Sequence, residues 1–471
     1  MSTRWRAIIP LLLGAAIWLI PTPQGLTANA WSYFALCVAV IAALITEPIP
    51  GPVAGLLGIT TAAALLLVEP NPNDSIRWAL SGFSSGTVWL IFVAFMFGLG
   101  YEKTGLGRRI ALSLVRALGR RTVGLGYAVA LADLILAPFI PSNTARSGGT
   151  IFPIIKNIPA LYGSFPGPTA RRIGAYVMWT AFAAQSITSS MFLTGNVANL
   201  FAVSLLKETT KISVGWTEWA VGFLPVGLVL FISLPPLVYA IYPPGVKASE
   251  EVPRWASQEL TKMGTITRGE VMMAGVAVLA LGLWIFGGER LNPPTVALIA
   301  LCLMILTRLL DWSDVLADKD AWKVLVWFGT LLTLADGLNK VGFLKWFAAG
   351  IACACAGIPV TVTLFIFVAI FFASHYMFAS LTAHAMALLP AFLAAGAAMP
   401  GMPIRPLALA LCYTLGLMGV LSPYATGPAP IYFGSGYITR KEFWILGSVF
   451  GAIYILLLLA VGVPYLLAMS P

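Results

Sequence analysis

Residues Phe139 to Thr150 read FIPSNTARSGGT, a polar knot that gathers Ser142, Asn143, Thr144 and Arg146 behind Pro141 in otherwise apolar sequence. Hydroxyls, a carboxamide and a guanidinium are all hydrogen-bond donors, and a group that can use them together is an anion such as a carboxylate. A second knot, SLTAH, holds Ser380, Leu381, Thr382 and His384. The two align at an offset of 238, so Arg146 and His384 each stand two residues after the matching threonine. Two further breaks interrupt apolar sequence. TGNVAN at 194–199 contains Thr194, Gly195 and Asn196, and TGPAP at 426–430 contains Thr426, Gly427 and Pro428. No covalent chemistry and no cofactor is expected from these residues. An intramembrane hydrolase would need Ser142 or Ser380 to work with His384, but no Ser-His pair sits at a known motif. The five cysteines show neither a disulfide framework nor metal-ligand spacing.

The rest of the chain explains why such knots are expensive. Of 471 residues, 59% are hydrophobic and 10% are charged, against roughly 25% charged in soluble proteins. Apolar runs recur near 7–21, 30–47, 52–68, 85–101, 217–243, 270–287, 294–308, 321–338 and 443–468. Runs of this length predict membrane-crossing helices, so the chain reads as an all-α polytopic membrane protein. The net charge of +10 lies in short loops, the distribution of cytoplasmic loops, and is not a nucleic-acid footprint. Arg4 and Arg6 place the N-terminus in the cytoplasm. The connection at 244–268 carries Lys247, Arg254, Lys262 and Arg268 and belongs on the same side; SEEV and ASQEL within it predict an amphipathic surface helix.

Two regions do not read as simple spans. In 122–163, about 15 apolar residues precede the knot and about 10 follow it, and neither arm spans ~30 Å at 1.5 Å per residue. Two short arms joined at a polar tip predict a re-entrant hairpin. Basic residues flank both of its ends (Arg120 and Arg121, then Lys156, Arg171 and Arg172), so it opens to the cytoplasm. The region 359–397 predicts a second hairpin, uncharged at its ends and open to the other side. Each hairpin precedes a helix broken at one of the TG motifs. Lipid cannot satisfy broken backbone, so the breaks must line an enclosed cavity.

The halves also match elsewhere. Val88-Trp89 parallels Val326-Trp327, EKTGLGRRIA parallels NKVGFLKWFA, and Thr194-Gly195 parallels Thr426-Gly427. An inverted repeat with paired hairpins and broken helices is the plan of secondary transporters that bind substrate at mid-membrane. Two facing tips, each carrying helix N-terminal dipoles, suit a solute with a carboxylate at each end. Arg146 is expected to meet the anion, the alternative being a pair with Asp133. Asp133 and Asp336 are expected to pair within the protein. A carrier with uncompensated cations would cross only when loaded, which is obligatory exchange, and an arginine beside the tip would repel sodium. Arg146→Ala should therefore abolish exchange in a protein that still folds.

PSNTAR, SLTAHAMALLP and YATGPAPIYFGSGY resemble the divalent anion:sodium symporter family, and within it the branch of citrate/succinate, tartrate/succinate and 2-oxoglutarate/malate antiporters. The resemblance runs the length of the chain. It implies a homodimer working as an elevator in a bacterial inner membrane. The scaffold would comprise 1–122 and 269–356, the moving transport domain 123–243 and 357–471, and the cytoplasmic connection 244–268. It also implies that substrate carboxylates bind the two Ser-Asn-Thr tips. The first is intact, and the second has Leu381 where symporters carry Asn. Val197 and Ala198 replace prolines of the first broken-helix loop. Both departures weaken sodium sites and favour exchange over sodium symport.

Overall fold

The computed structural model describes residues 3–248, 250–287, 290–355 and 357–469, with side chains from Ile8 onward; the expectation for Arg4 and Arg6 thus concerns side chains outside the described residues, as does that for Ser249. Helices make up the fold, and no strand forms among the described residues, where Arg121 and Ala248 make an isolated bridge. Eight helical stretches among these residues are long and apolar enough to cross a membrane. Six of the nine expected spans are among them, for example Ala28–Thr46, Trp216–Ile241, Arg268–Phe286 and Lys319–Lys340, whereas the runs near 7–21, 52–68 and 294–308 form shorter helices. The other two stretches, Val360–Met377 and Leu381–Ala398, are the arms of the second knot region, each 18 residues long. Among the helices not anticipated, Pro72–Leu80 is half polar and leads through a tight turn into Gly86–Thr104.

The element order runs twice. Gly86–Thr104 ends at Gly105 in a left-handed conformation (φ 76°), and Lys319–Lys340 leads to Gly342 (φ 80°). Glycine adopts this conformation without a Cβ clash. Each is followed by a short helix, Leu106–Leu118 or Phe343–Ala354, and then by a 15-residue helix, Thr122–Leu136 or Val360–Ser374. The broken helices come next: Gly174–Met191 with Val197–Thr210, and Ile404–Leu417 with Ala429–Gly434.

Both knot regions double back. The ends of the first meet on one strip of chain, where Thr122 N–H donates to Lys247 O at 3.0 Å, Gly245 N–H to Arg171 O at 2.9 Å and Val246 N–H to Arg172 O at 2.9 Å. In the second, Phe367 and Phe371 both pack on Phe392, with ring centroids 5.4 Å apart. The helix Leu381–Ala398 therefore runs back along Val360–Ser374.

Trp216–Ile241 sets the two hairpins in relation. Near its C-terminal end, Tyr127 of the first hairpin donates to Ile232 O and Tyr176 donates to Pro235 O. At its N-terminal end, Glu218 pairs with Arg405, just past the second hairpin. The hairpin bases therefore lie at opposite ends of a 26-residue apolar helix. Between them, Trp219 holds both broken helices: its Nε1–H donates to Ser190 O at 2.9 Å and its carbonyl accepts from Tyr413 at 3.0 Å. The connection forms the helix Glu251–Met263, tied to Leu106–Leu118 by Arg108–Glu259 at 2.7 Å.

In a cysteine-free background, Arg121→Cys and Arg172→Cys should be modified by an impermeant maleimide from one face of the membrane and Arg405→Cys from the other. Labelling of the first two from opposite faces would make the first knot part of a spanning segment.

Candidate functional site

The first tip owes its shape to local capping. Ser142 Oγ accepts Ala145 N–H at 3.2 Å, and Arg146 N–H bonds Ser142 O at 2.8 Å. The returning chain starts as a π-helical segment, Thr144–Ile151, a form often found at functional sites. Asn143 Nδ2 donates to Gln185 Oε1 at 3.1 Å and so joins the tip to the first broken helix. Thr144 is exposed. The second tip is built alike, with Ser380 Oγ accepting Ala383 N–H at 3.3 Å. Leu381 and Thr382, whose N–H groups have no carbonyl to reach within the helix, are buried.

Arg146 takes the geometry considered as the alternative. Its side chain is wholly buried, and Nε lies 3.2 Å from Asp133 Oδ2. One terminal nitrogen donates to Ile140 O and Gly195 O, each at 2.7 Å, and the other to Ser189 Oγ at 3.0 Å. Four of the five guanidinium N–H donors are thereby used. Thr188 donates to the same Asp133 oxygen. A charge taken from water into such surroundings persists only when paired and hydrogen-bonded. Arg146 is thus the pin that fastens the first tip to the first break.

The other first-break residues are also engaged. Thr194 Oγ1 donates to Pro138 O at 2.6 Å and accepts Trp216 Nε1–H at 3.1 Å. Val197 N–H donates to Pro141 O at 3.0 Å. Asn196 Oδ1 caps the next helix through Ala198 N–H at 3.0 Å, while its buried Nδ2 has no protein partner.

The second break links the two tips. A Cβ on Gly427 would collide with Thr144 Oγ1 of the first tip, so that close approach requires glycine. Two residues earlier, Ala425 O accepts Nε2–H of His375 at 2.8 Å, and His375 Nδ1 lies 3.0 Å from His384 Nδ1. The loop Ala425–Gly427 is therefore flanked by one tip on each side. Thr426 is buried, and Pro428 O opens the following helix by accepting Tyr432 N–H. Tyr432 Oη in turn meets Ser147 Oγ at 2.8 Å. Asp336, the other intramembrane acid, accepts Trp78 Nε1–H at 3.2 Å.

Gln185, Tyr432 and His375 escaped the sequence reading. For His375 a signal existed: the chain has two histidines, and both lie in one hairpin. A cleft of about 910 Å³ lies away from the tips. It opens between Trp78, Asp336 and Lys340 on one wall and Leu200, Ser204 and Lys207 on the other, and it reaches Leu193 beside the first break.

Apolar helices of membrane-crossing length around two doubled-back segments and two broken helices are the architecture of a multi-pass membrane protein. Residues 1–469 match the family described as the sodium:sulfate symporter transmembrane region, and the chain belongs to this family, the divalent anion:sodium symporters. It is 45% identical over 475 residues to the citrate/succinate antiporter of Escherichia coli K12, covering 98% of each chain. It is 45% identical to the L-tartrate/succinate antiporter of Escherichia coli O6:K15:H31, covering 97% of each. Among solved structures it is similar in fold to the YdaH transporter of Alcanivorax borkumensis, with a TM-score of 0.55 at 17% identity over 94% of this chain and all of that one. It is likewise similar to MtrF of Neisseria gonorrhoeae, with a TM-score of 0.55 at 14% identity over 98% and 93%.

Arg146→Ala or Asp133→Ala alone should destabilise the solubilised protein by about 3–5 kcal/mol, because each strands a buried charge. The double change Arg146→Leu with Asp133→Leu should recover a large part of that loss. Thermal unfolding of the three variants checks the order; a fully stable Arg146→Ala would mean that the pin is dispensable for folding.

Proposed function

We propose that the protein exchanges di- and tricarboxylates of the citrate, succinate, tartrate, malate and 2-oxoglutarate class across a bacterial inner membrane, with its N-terminus in the cytoplasm. The observation that carries exchange over sodium symport is the oxygen cage beside the first tip. Ile140 O, Gly195 O, Ser189 Oγ and Asp133 Oδ2 all converge on the guanidinium of Arg146. A cation-binding cage already filled by a covalently attached cation has no place for sodium.

Pairing with Asp133 neutralises Arg146, so the demand that the carrier move only when loaded needs another source. The tips supply one. Each unsatisfied N–H or hydroxyl dragged through an apolar barrier costs several kcal/mol, and an empty tip exposes several. A dicarboxylate bound between Ser142–Thr144 and Ser380–Thr382 satisfies them at both ends. Thr194, Gly195, Asn196, Thr426, Gly427 and Pro428 form the floor of this site. Arg146 and His384 act behind the tips, holding them in place.

The two halves are read as an inverted repeat, which the placement of the hairpin bases at opposite ends of Trp216–Ile241 supports. An elevator motion is read from the cleft between Trp78–Lys340 and Leu193–Lys207, a seam along which 123–243 and 357–471 move as a transport domain against a scaffold of 1–122 and 269–356. The scaffold pairs with a second copy to make a homodimer.

Purified protein in liposomes should take up radiolabelled succinate only when succinate, citrate or tartrate is trapped inside, and at the same rate with sodium or potassium outside. Uptake into empty vesicles driven by a sodium gradient would establish symport instead.

A further inference from the structure

The two tips are anchored by different chemistry, and the second anchor contains a proton. At the offset of 238, His384 stands in the place of Arg146, Phe371 in the place of Asp133 and His375 in the place of Ala137. The first tip is therefore anchored by a guanidinium paired with a carboxyl group. The second has two imidazoles, with Phe371 and Phe378 rings packed 4.4 and 4.8 Å from His384. Both imidazoles are fully buried.

The hydrogen bonds define where protons sit. His375 Nε2 faces Ala425 O at 2.8 Å and must carry hydrogen, because a carbonyl only accepts. Between the two Nδ1 atoms, 3.0 Å apart, there is room for one hydrogen. With His375 already protonated on Nε2, a neutral His375 accepts there and His384 donates. That leaves His384 Nε2, 3.4 Å from Ser374 Oγ. The single hydroxyl hydrogen of Ser374 points to Phe371 O at 2.8 Å. Ser374 Oγ can then only accept from His384 Nε2, which requires a third proton on the pair. One added proton therefore completes the chain from Phe371 O to Ala425 O without moving a side chain.

No carboxylate pairs with either ring among the described residues: the polar partners of His375 are His384 and Ala425 O, and those of His384 are His375 and Ser374. Val360–Ser374 carries no charged side chain, and Leu381–Ala398 carries His384 as its one titratable group. On Ile404–Leu417, Arg405 pairs with Glu218 at the far end, while Cys412 and Tyr413 are buried. On Val197–Thr210, Lys207 and Glu208 sit in the last turn. On Lys319–Lys340, Asp336 and Lys340 face the cleft, and Lys345 lies on Phe343–Ala354. Of the tyrosines nearest the second break, Tyr424 donates to Tyr376 O at 3.0 Å and Tyr376 meets Ser448 Oγ at 3.3 Å. A proton on the pair has no fixed counter-ion, and the anion at the neighbouring tip supplies one.

We propose that His375 and His384 form one proton-binding unit that gains a proton when a carboxylate dianion settles on the tips and releases it when the anion leaves. This rests on the carboxylate antiporter reading. It makes His375 a positioning residue: it joins the second tip to the Ala425–Gly427 loop and lets the charge of the site follow that of its cargo. Proton and anion binding are then linked, and each raises the affinity for the other.

Isothermal titration of the solubilised full-length protein with succinate, near neutral pH and in buffers of different ionisation enthalpy, reads the protons exchanged on binding. About one proton taken up per bound succinate is expected, falling to near zero in His375→Asn and in His384→Asn. Succinate binding without proton uptake in the unaltered protein overturns the inference and leaves the antiporter reading standing. Full uptake retained in both variants also overturns it. Failure of succinate, citrate and tartrate all to bind removes the antiporter reading and the inference together.

Discussion

The buried pair of Arg146 and Asp133 is the interaction on which the rest of the site depends. A chain that stops at mid-membrane, turns and goes back leaves backbone groups that lipid cannot satisfy. Here the open carbonyls of Ile140 and Gly195 are both answered by one guanidinium. The guanidinium can be there because Asp133 balances its charge, and Thr188 in turn donates to Asp133. Removing one member leaves the others buried without a partner, so hairpin tip and broken helix stand or fall together.

This arrangement separates two tasks that a sequence reading merges. A cation near an anion site invites the conclusion that it binds the anion. In the fold, the guanidinium is turned to Asp133 and to the carbonyls of Ile140 and Gly195, while Ser142 caps the returning chain and Thr144 stays exposed. Uncharged N–H groups at a helix start favour an anion without adding a fixed charge of their own. The same division recurs at the second tip, where Ser380 caps the helix and His384 turns inward to His375.

Close approach is the other constraint. Gly427 meets Thr144 across the two halves, and elsewhere a Cβ on Gly55 would strike Thr330 of Lys319–Lys340. Large side chains at such crossings would force the elements apart. The second break can touch both tips because its residues there are small: Ala425, Thr426 and Gly427.

The sequence alone determined the class of protein. Apolar length decides which helices cross, because hydrocarbon thickness sets a fixed requirement. Short arms joined at SNTAR showed the first hairpin for the same reason, the polar SLTAH between apolar arms showed the second, and the matched TG motifs showed the breaks. These properties are local, and each can be read from a window of sequence. What Arg146 does was decided by tertiary structure. Whether it faces substrate or Asp133 depends on the rotation of Thr122–Leu136 against the returning chain, and composition does not encode that angle. His375, Gln185 and Tyr432 were hidden for a related reason. A buried polar side chain acquires its role from partners that lie 9 to 285 residues away in the chain; packing brings those partners within 3.1 Å or less.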